Sequence, residues 1–159
     1  MRYWLLKSEP DDIGIDDLAA RPRQAVAWTG IRNYQARNFL RDGSSVGDLA
    51  FFYHSSCADI GIAGIVEIVS TPYPDPTQFD PASPYLDPKA TMEQPRWVSV
   101  DIRFVQKGGF VPLAALKAHP ELEGMPLLAK GSRLSVSPVE PAQWECIRGL
   151  MGTRASAST

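Results

Sequence analysis

Two stretches near the start of the chain combine side chains that hydrogen-bond with side chains that stack. Lys7-Ser8 and Tyr53-His54-Ser55 each follow a short apolar run, and a segment from Trp28 to Arg37 lies between them. Hydroxyl, amide and imidazole groups can bond the edge of a base, aromatic rings can cover its face, and cations can hold its phosphate. This combination predicts a site for a flat, anionic ligand such as a nucleotide.

The predicted roles follow the chemistry of each side chain. Aromatic residues that could offer a ring face for stacking are Trp28, Tyr53 and Trp97. Polar residues that could bond a base edge are Ser8, Asn33, His54, Ser55 and Ser135. Cations that could reach phosphates are Lys7, Arg32, Arg37 and Arg133. Each also has a purely structural alternative: core packing for the rings, turn or helix capping for the polar groups, and ordinary surface charge for the cations.

These residues do not form a recognisable catalytic centre. His54 and Ser55 are neighbours on a predicted strand, so their side chains should point to opposite faces. The sequence has no nucleophile elbow, phosphate-binding loop or dinucleotide fingerprint, and no metal-ligand spacing. We therefore predict a binding protein with no catalytic residues, no metal and no cofactor. The enzyme alternative is acid–base chemistry at Lys7-Ser8-Glu9.

Length and composition indicate an ordinary globular domain. The chain has 159 residues, 44% of them hydrophobic, and no apolar run of membrane-spanning length. We expect one domain over residues 1–151, a disordered tail over 152–159, a monomeric state and a cytoplasmic location. The net charge is −2, and only residues 96–133 are locally basic. Pocket contacts must therefore supply much of any affinity for nucleic acid.

Periodicity places the chemistry on strand ends and on one helix. Asn33 can cap a helix in which Ala36, Phe39 and Leu40 form an apolar stripe. Period-two runs bounded by Gly and Pro predict strands at Tyr3–Lys7, Leu49–His54, Ile60–Val69, Trp97–Gln106 and Leu134–Val139. Five or six strands with short helices predict an α+β fold with a curved or barrel-like sheet.

A proline-rich loop, residues 71–95, separates two of these strands. It contains seven prolines, together with Tyr73, Phe79 and Tyr85. A loop of this length in a compact domain is usually functional or disordered. Its aromatic residues favour a loop that packs on the domain, and they leave open that the loop is a protein-interaction module.

Several separated motifs resemble the EVE domain family. They are Tyr3-Trp4-Leu5-Leu6-Lys7-Ser8-Glu9-Pro10, Trp28-Thr29-Gly30-Ile31-Arg32-Asn33-Tyr34-Gln35-Ala36-Arg37-Asn38, Phe52-Tyr53-His54-Ser55, Pro95-Arg96-Trp97 and Gly131-Ser132-Arg133-Leu134-Ser135-Val136. The resemblance covers about residues 1–150. The family's naming tripeptide is replaced by a mild variation at Gly64-Ile65-Val66-Glu67-Ile68-Val69.

The resemblance implies a PUA-like fold, a small curved β-barrel of five to six strands surrounded by short helices, with kinship to YTH and ASCH domains. It implies that the protein reads a modified, flipped-out base of DNA or RNA in an aromatic pocket. Two alternatives remain open beside the protein-interaction module: an ASCH-like hydrolase acting on RNA or nucleosides, and a sensor of small nucleotides.

Overall fold

A computed structural model of the protein describes residues 1–8, 14–55, 58–129 and 134–158. These residues form an α+β fold around one curled, mixed sheet, as predicted. The strands are β1 (Tyr3–Ser8), β2 (Val26–Trp28), β3 (Leu49–His54), β4 (Gly61–Ile68), β5 (Tyr73–Pro74), β6 (Val98–Pro112) and β7 (Val136–Val139). The α-helices are α1 (Ile15–Ala19), α2 (Tyr34–Gly43), α3 (Leu113–Lys117) and α4 (Pro141–Ser158).

The sheet runs in the order β2-β6-β4-β3-β1-β7, and β5 pairs with the start of β6. β1 and β3 are parallel, and the other strand pairs of the described residues are antiparallel. The sheet curls into a half-barrel. α2 contacts both β6 and β7, near the two ends of this order, so the helix spans the gap between the sheet's ends.

Alternation along the strands separates two buried clusters, one on each face of the sheet. Trp4 and Leu6 of β1 belong to the cluster that also holds the apolar residues of α1 and α2. Leu5 lies between them in sequence and belongs to the second cluster, which holds the apolar residues of α4. Neighbouring residues on a strand point to opposite faces, so β1, β3, β4, β6 and β7 contribute to both layers.

Gly64 lets α1 approach β4 closely. A Cβ at this position would collide with the carbonyl oxygen of Gln106 and would lie 2.6 Å from the Cδ1 atom of Ile15. The register of β4 against β6 shifts at the same place. Gly64 thus marks both a bulge and a close approach of another element, the two usual reasons for a glycine inside a strand.

Several elements were not predicted or differ in length from the predicted ones, and β5 is one that was not predicted. β2 was not predicted, because a strand of only three residues is too short to show an alternating pattern. β6 continues past the predicted end at Gln106 to Pro112, and Gly109 accommodates the bend with a φ of 61°. The apolar stripe after Pro141 predicts a last helix over Ala142 to Leu150, and the helix in the structure continues to Ser158. Among the described helices, none combines the length and apolar character that crossing a bilayer requires.

Candidate functional site

The ends of the two parallel strands bring Ser8, His54 and Ser55 together. Ser8 is paired in register with His54 because β1 and β3 stop at the same edge of the sheet. The Ser55 amide donates to the Ser8 carbonyl at 2.9 Å, and the Ser55 hydroxyl lies 3.4 Å from that oxygen. Ser8 is buried, whereas His54 and Ser55 are half-buried. Three of the predicted polar residues therefore lie at one end of the sheet.

Lys7 and Ser135 belong to the same end. The Lys7 amide donates to the Ser135 carbonyl at 2.9 Å, one residue beyond the pairing of Leu6 with Val136. Burial lowers the pKa of the Lys7 ammonium from its ordinary value, because the charged form loses water. We call Lys7, Ser8, His54, Ser55 and Ser135 the strand-end group.

His54 is held in one tautomer by the start of α1. Its Nε2 atom lies 3.1 Å from the backbone N–H of Ile15, which can only donate, so Nε2 accepts and the proton of the neutral ring is on Nδ1. Burial lowers the pKa of His54, and the carboxylates of Asp16 and Asp17 oppose this only in part. The ring is therefore neutral at physiological pH and offers an Nδ1–H donor.

The lowered pKa of His54 predicts a loss of stability in mild acid. Between the folded and unfolded pKa values the unfolded chain binds more protons, so the free energy of unfolding falls as the pH drops below about 6.5. His54→Gln keeps an acceptor for the Ile15 amide but does not titrate. Urea unfolding at pH 8 and pH 5 should show a smaller loss for the variant than for the wild type. An equal loss in both proteins would mean that His54 does not cause the effect.

Arg32, predicted to hold a phosphate, has all five of its N–H groups bonded within the protein. Nε and Nη2 donate to the Tyr85 carbonyl at 3.1 and 2.7 Å. Nη1 donates to the Ile31 carbonyl at 2.7 Å and to Asp75 at 3.0 Å, and Nη2 also donates to the Thr77 hydroxyl at 3.1 Å. Because a guanidinium has only five N–H donors, Arg32 fastens the proline-rich loop and keeps none for a phosphate.

Asp75 is the buried partner in this fastening, with a side chain that is 0% exposed. Its carboxylate accepts from the Gly30 amide at 2.8 Å and from the amide and hydroxyl of Thr77 at 2.8 and 2.6 Å. Burial alone would raise the pKa of Asp75, but the hydrogen bonds from Thr77, Gly30 and Arg32 outweigh it and the pKa is lowered. The predicted packing of the loop on the domain is confirmed.

Trp97 is the centre of a group of rings and guanidinium groups. Its ring stacks on Tyr34 with 4.8 Å between centroids, and its indole N–H donates to Asp87 at 2.8 Å. The guanidinium carbons of Arg32 and Arg37 lie 5.3 and 6.0 Å from the Trp97 ring. Trp97 itself is only 6% exposed and Tyr85 is half-buried, so Tyr34, at 49%, is the most exposed of the three rings. We call Arg32, Tyr34, Arg37, Tyr85 and Trp97 the aromatic–arginine group.

The two other rings predicted to stack on a base are buried. Trp28 is 4% exposed and lies in the cluster with α1 and α2. Tyr53 is 2% exposed and lies in the cluster with α4, on the face of the sheet opposite His54. A stacked base must cover a ring face, so the placement of Tyr53 is incompatible with its predicted role. The predicted pocket, with walls of Trp28, Tyr53 and Trp97, is therefore not formed.

The remaining predicted residues have mixed outcomes. Asn33 caps α2, as predicted, since its side-chain oxygen accepts from the Ala36 amide at 3.0 Å. That bond leaves the Asn33 NH₂ group to donate elsewhere. Arg37 lies on the surface of α2, and its contact with a phosphate stays a prediction. Arg133, with Gly131 and Ser132 of the same motif, lies outside the described residues.

Two residues that the structure places in or beside the aromatic–arginine group had only weak signals in the sequence. Asp75 precedes Pro76 and Thr77, a pattern typical of a local turn, and nothing in that pattern names Arg32 as its partner. Tyr34 follows the capping Asn33, and an aromatic residue at the first helical position could have been recognised as surface-exposed.

Comparison with known proteins places this arrangement in a family. The sequence profile described as EVE domain matches residues 2–150. Human thymocyte nuclear protein 1 is 40% identical to the chain over 166 residues, which cover 93% of the chain and 73% of the human protein. A crystal structure of a protein from Pseudomonas syringae is 53% identical, with a TM-score of 0.90, and covers 94% of this chain and 99% of that one.

A second structural relative carries a ligand. The crystal structure of human THYN1 protein in complex with DNA containing 5-methylcytosine has a TM-score of 0.89 and 40% identity. The match covers 95% of this chain and 98% of the human one. Family profile, sequence relatives and fold agree over nearly the whole length. The chain belongs to the EVE domain family.

Proposed function

We propose that this protein binds DNA and recognises a modified base. The observation that carries the proposal is the likeness to human THYN1 protein, which has been crystallised with DNA containing 5-methylcytosine. The likeness extends over 95% of this chain, and the family profile matches residues 2–150, which include the strand ends and α2. An identity of 40% over that length supports a shared ligand class.

The base is read at the strand-end group. A base with a small modification must leave the helical stack to be examined, and its edge then needs new hydrogen-bond partners. Ser8 and His54 pair in register and share a face, and they offer a hydroxyl and an Nδ1–H donor. Ser55 follows the last residue of β3, so the alternation of faces does not apply to it, and its hydroxyl can join them. Lys7 pairs with Tyr53 and so lies on the other face of the sheet end from Ser8 and His54, where it supplies a positive charge for the phosphate beside the base and not for the base itself. Phosphate contact would counter the burial that lowers its pKa.

The test is a binding panel at two stated salt concentrations. Matched duplexes with cytosine, 5-methylcytosine and other modified bases are compared with RNA of the same sequence and with free nucleosides. We expect tighter binding to a modified duplex. Ser55→Ala should reduce the preference for the modified base about ten-fold, since a lost base-edge contact costs about 1–3 kcal/mol.

Ser45→Ala is the matched control. Ser45 is an exposed serine just before β3, and its backbone amide, which the substitution leaves in place, donates to Asp48. It should bind like the wild type. A wild type that does not distinguish modified from unmodified DNA contradicts the proposal, and preferential binding of free nucleosides would favour a small-nucleotide sensor.

We propose binding without turnover, against the hydrolase alternative. The feature that favours the alternative is Lys7, whose lowered pKa would help it act as a base. Incubation of the protein with modified DNA, RNA and nucleosides should leave every substrate unchanged by mass spectrometry. Steady product formation that Lys7→Ala abolishes would identify an enzyme instead.

A further inference from the structure

Tyr34 presents one bare ring face on the surface beside an arginine. It is the first residue of α2 and is 49% exposed, although its ring stacks on Trp97 at an interplanar angle of 23°. The guanidinium carbon of Arg37 lies 4.7 Å from the Tyr34 ring and 6.0 Å from the Trp97 ring. A group over the outer face of Tyr34 would be much farther from Trp97, so Arg37 lies over the side of Tyr34 that faces Trp97. Among the described residues, no ring or guanidinium contact is seen on the outer face of Tyr34, and the residue is half exposed.

Hydrogen bonds hold the Arg37 side chain in place, but they do not use all of its N–H groups among the described contacts. Nε and Nη2 donate to the Asn38 side chain at 3.1 and 2.8 Å, and Nη1 donates to the Arg96 carbonyl at 3.0 Å. These bonds use three of the five N–H groups, and two remain among the described contacts. Arg32 differs in this respect, because its five are all taken. Of these two arginines, Arg37 can accept a new anionic partner without losing an existing bond.

The surroundings favour a negatively charged ligand. Three guanidinium groups, of Arg32, Arg37 and Arg96, face two carboxylates, of Asp75 and Asp87, so one positive charge is in excess. α2 also begins here with no acidic residue in its first turn, so the positive end of its dipole adds to the local positive potential.

The platform under Tyr34 is fixed before any ligand arrives. The indole N–H of Trp97 is bonded to Asp87, and the backbone N–H of Trp97 donates to the side-chain oxygen of Gln78 at 3.0 Å. Arg32 holds the neighbouring loop through Tyr85. A preorganised ring costs little entropy when a second ring stacks on it.

We propose that a nucleobase of the bound DNA stacks on the outer face of Tyr34, while Arg37 bonds the phosphate next to it. This contact rests on the proposed DNA binding and adds a second point of attachment outside the strand-end group. It carries no information about the modification, because stacking on a ring accepts any base. It should therefore contribute equally to binding of modified and unmodified DNA.

The test measures affinity for modified and unmodified duplexes over a range of salt concentrations. Tyr34→Ala should weaken binding to both about ten-fold, as removal of a stacking ring typically does, and should leave the ratio between them unchanged. Tyr34→Phe keeps the ring and should bind within about two-fold of the wild type. Arg37→Gln should weaken both and lower the slope of affinity against salt by about one unit.

Each result decides the question. Tyr34→Ala that is folded by circular dichroism and binds like the wild type overturns the stacking contact and leaves the proposed function standing. If Tyr34→Ala changes the ratio of the two affinities without weakening binding to both duplexes, the stacking contact is also overturned, because Tyr34 would then read the modification. A wild type that binds neither duplex overturns both proposals. Tyr34→Leu, which retains an apolar side chain, replaces the alanine variant if that variant does not fold.

Discussion

Arg32→Ala should lower the free energy of unfolding by about 3–5 kcal/mol, the usual cost of leaving a buried charge without its partner. The substitution removes the cation opposite Asp75, whose side chain is fully buried, and leaves the Tyr85 carbonyl without its two donors. Urea unfolding monitored by tryptophan fluorescence measures the change, since Trp97 lies beside the guanidinium. The proline-rich loop should also become accessible to proteases at a urea concentration well below that of global unfolding.

Two control variants separate charge from geometry. Arg32→Lys keeps the charge but has three donors in place of a planar fork of five, so it should recover only part of the loss. Arg41→Ala removes an exposed arginine paired with the adjacent Asp42 and should unfold like the wild type. A wild-type midpoint for Arg32→Ala would show that the loop is held by other contacts.

Trp28→Ala is the second large effect we expect, a loss of about 3–5 kcal/mol, as for other buried aromatic residues cut back to alanine. The ring is 4% exposed, and β2 has only three residues, so its removal leaves a cavity beneath α1 and α2 and weakens a short edge strand. Trp28→Phe fills part of that space and should lose less. Equal midpoints for wild type and Trp28→Ala would contradict the placement of this ring in the interior.

The phenylalanine variant also tests the role that the sequence first suggested for Trp28. If the base is read at the strand-end group, Trp28→Phe should keep the preference for modified DNA at temperatures where it is fully folded. A folded Trp28→Phe that binds DNA but has lost the preference would mean that the indole lines the base site despite its low exposure.

Local patterns predicted the strands because alternation and turn residues act over a few positions. β3 has the predicted limits, and β1 differs by one residue. The N-cap at Asn33 was also predictable, since the capping oxygen and the amide it meets are three residues apart. Alternation along β3 was also sufficient to separate Tyr53 from His54, although both had been assigned to one pocket.

Partners distant in sequence were not predictable in the same way. Arg32 bonds residues 43 and 53 positions away, and no period in the sequence relates them. The predicted site was a single pocket, whereas the described contacts form two groups, one at the ends of β1 and β3 and one around Trp97. Which cations serve the fold and which face solvent depends on these long-range contacts, so residue type alone assigned Arg32 and Arg37 the same role.

The pairing of β1 with β7 has a consequence for how the chain folds during synthesis. Tyr3 pairs with Val139 and Leu6 with Val136, so one edge of β1 remains open until most of the chain has left the ribosome. Contacts between such distant residues slow folding. Until β7 is made, β1 can pair with β3 on one side only, and its other edge is an unpaired edge of an apolar strand, on which other nascent chains can aggregate. We expect chaperone dependence to be greatest for chains that end just before residue 136.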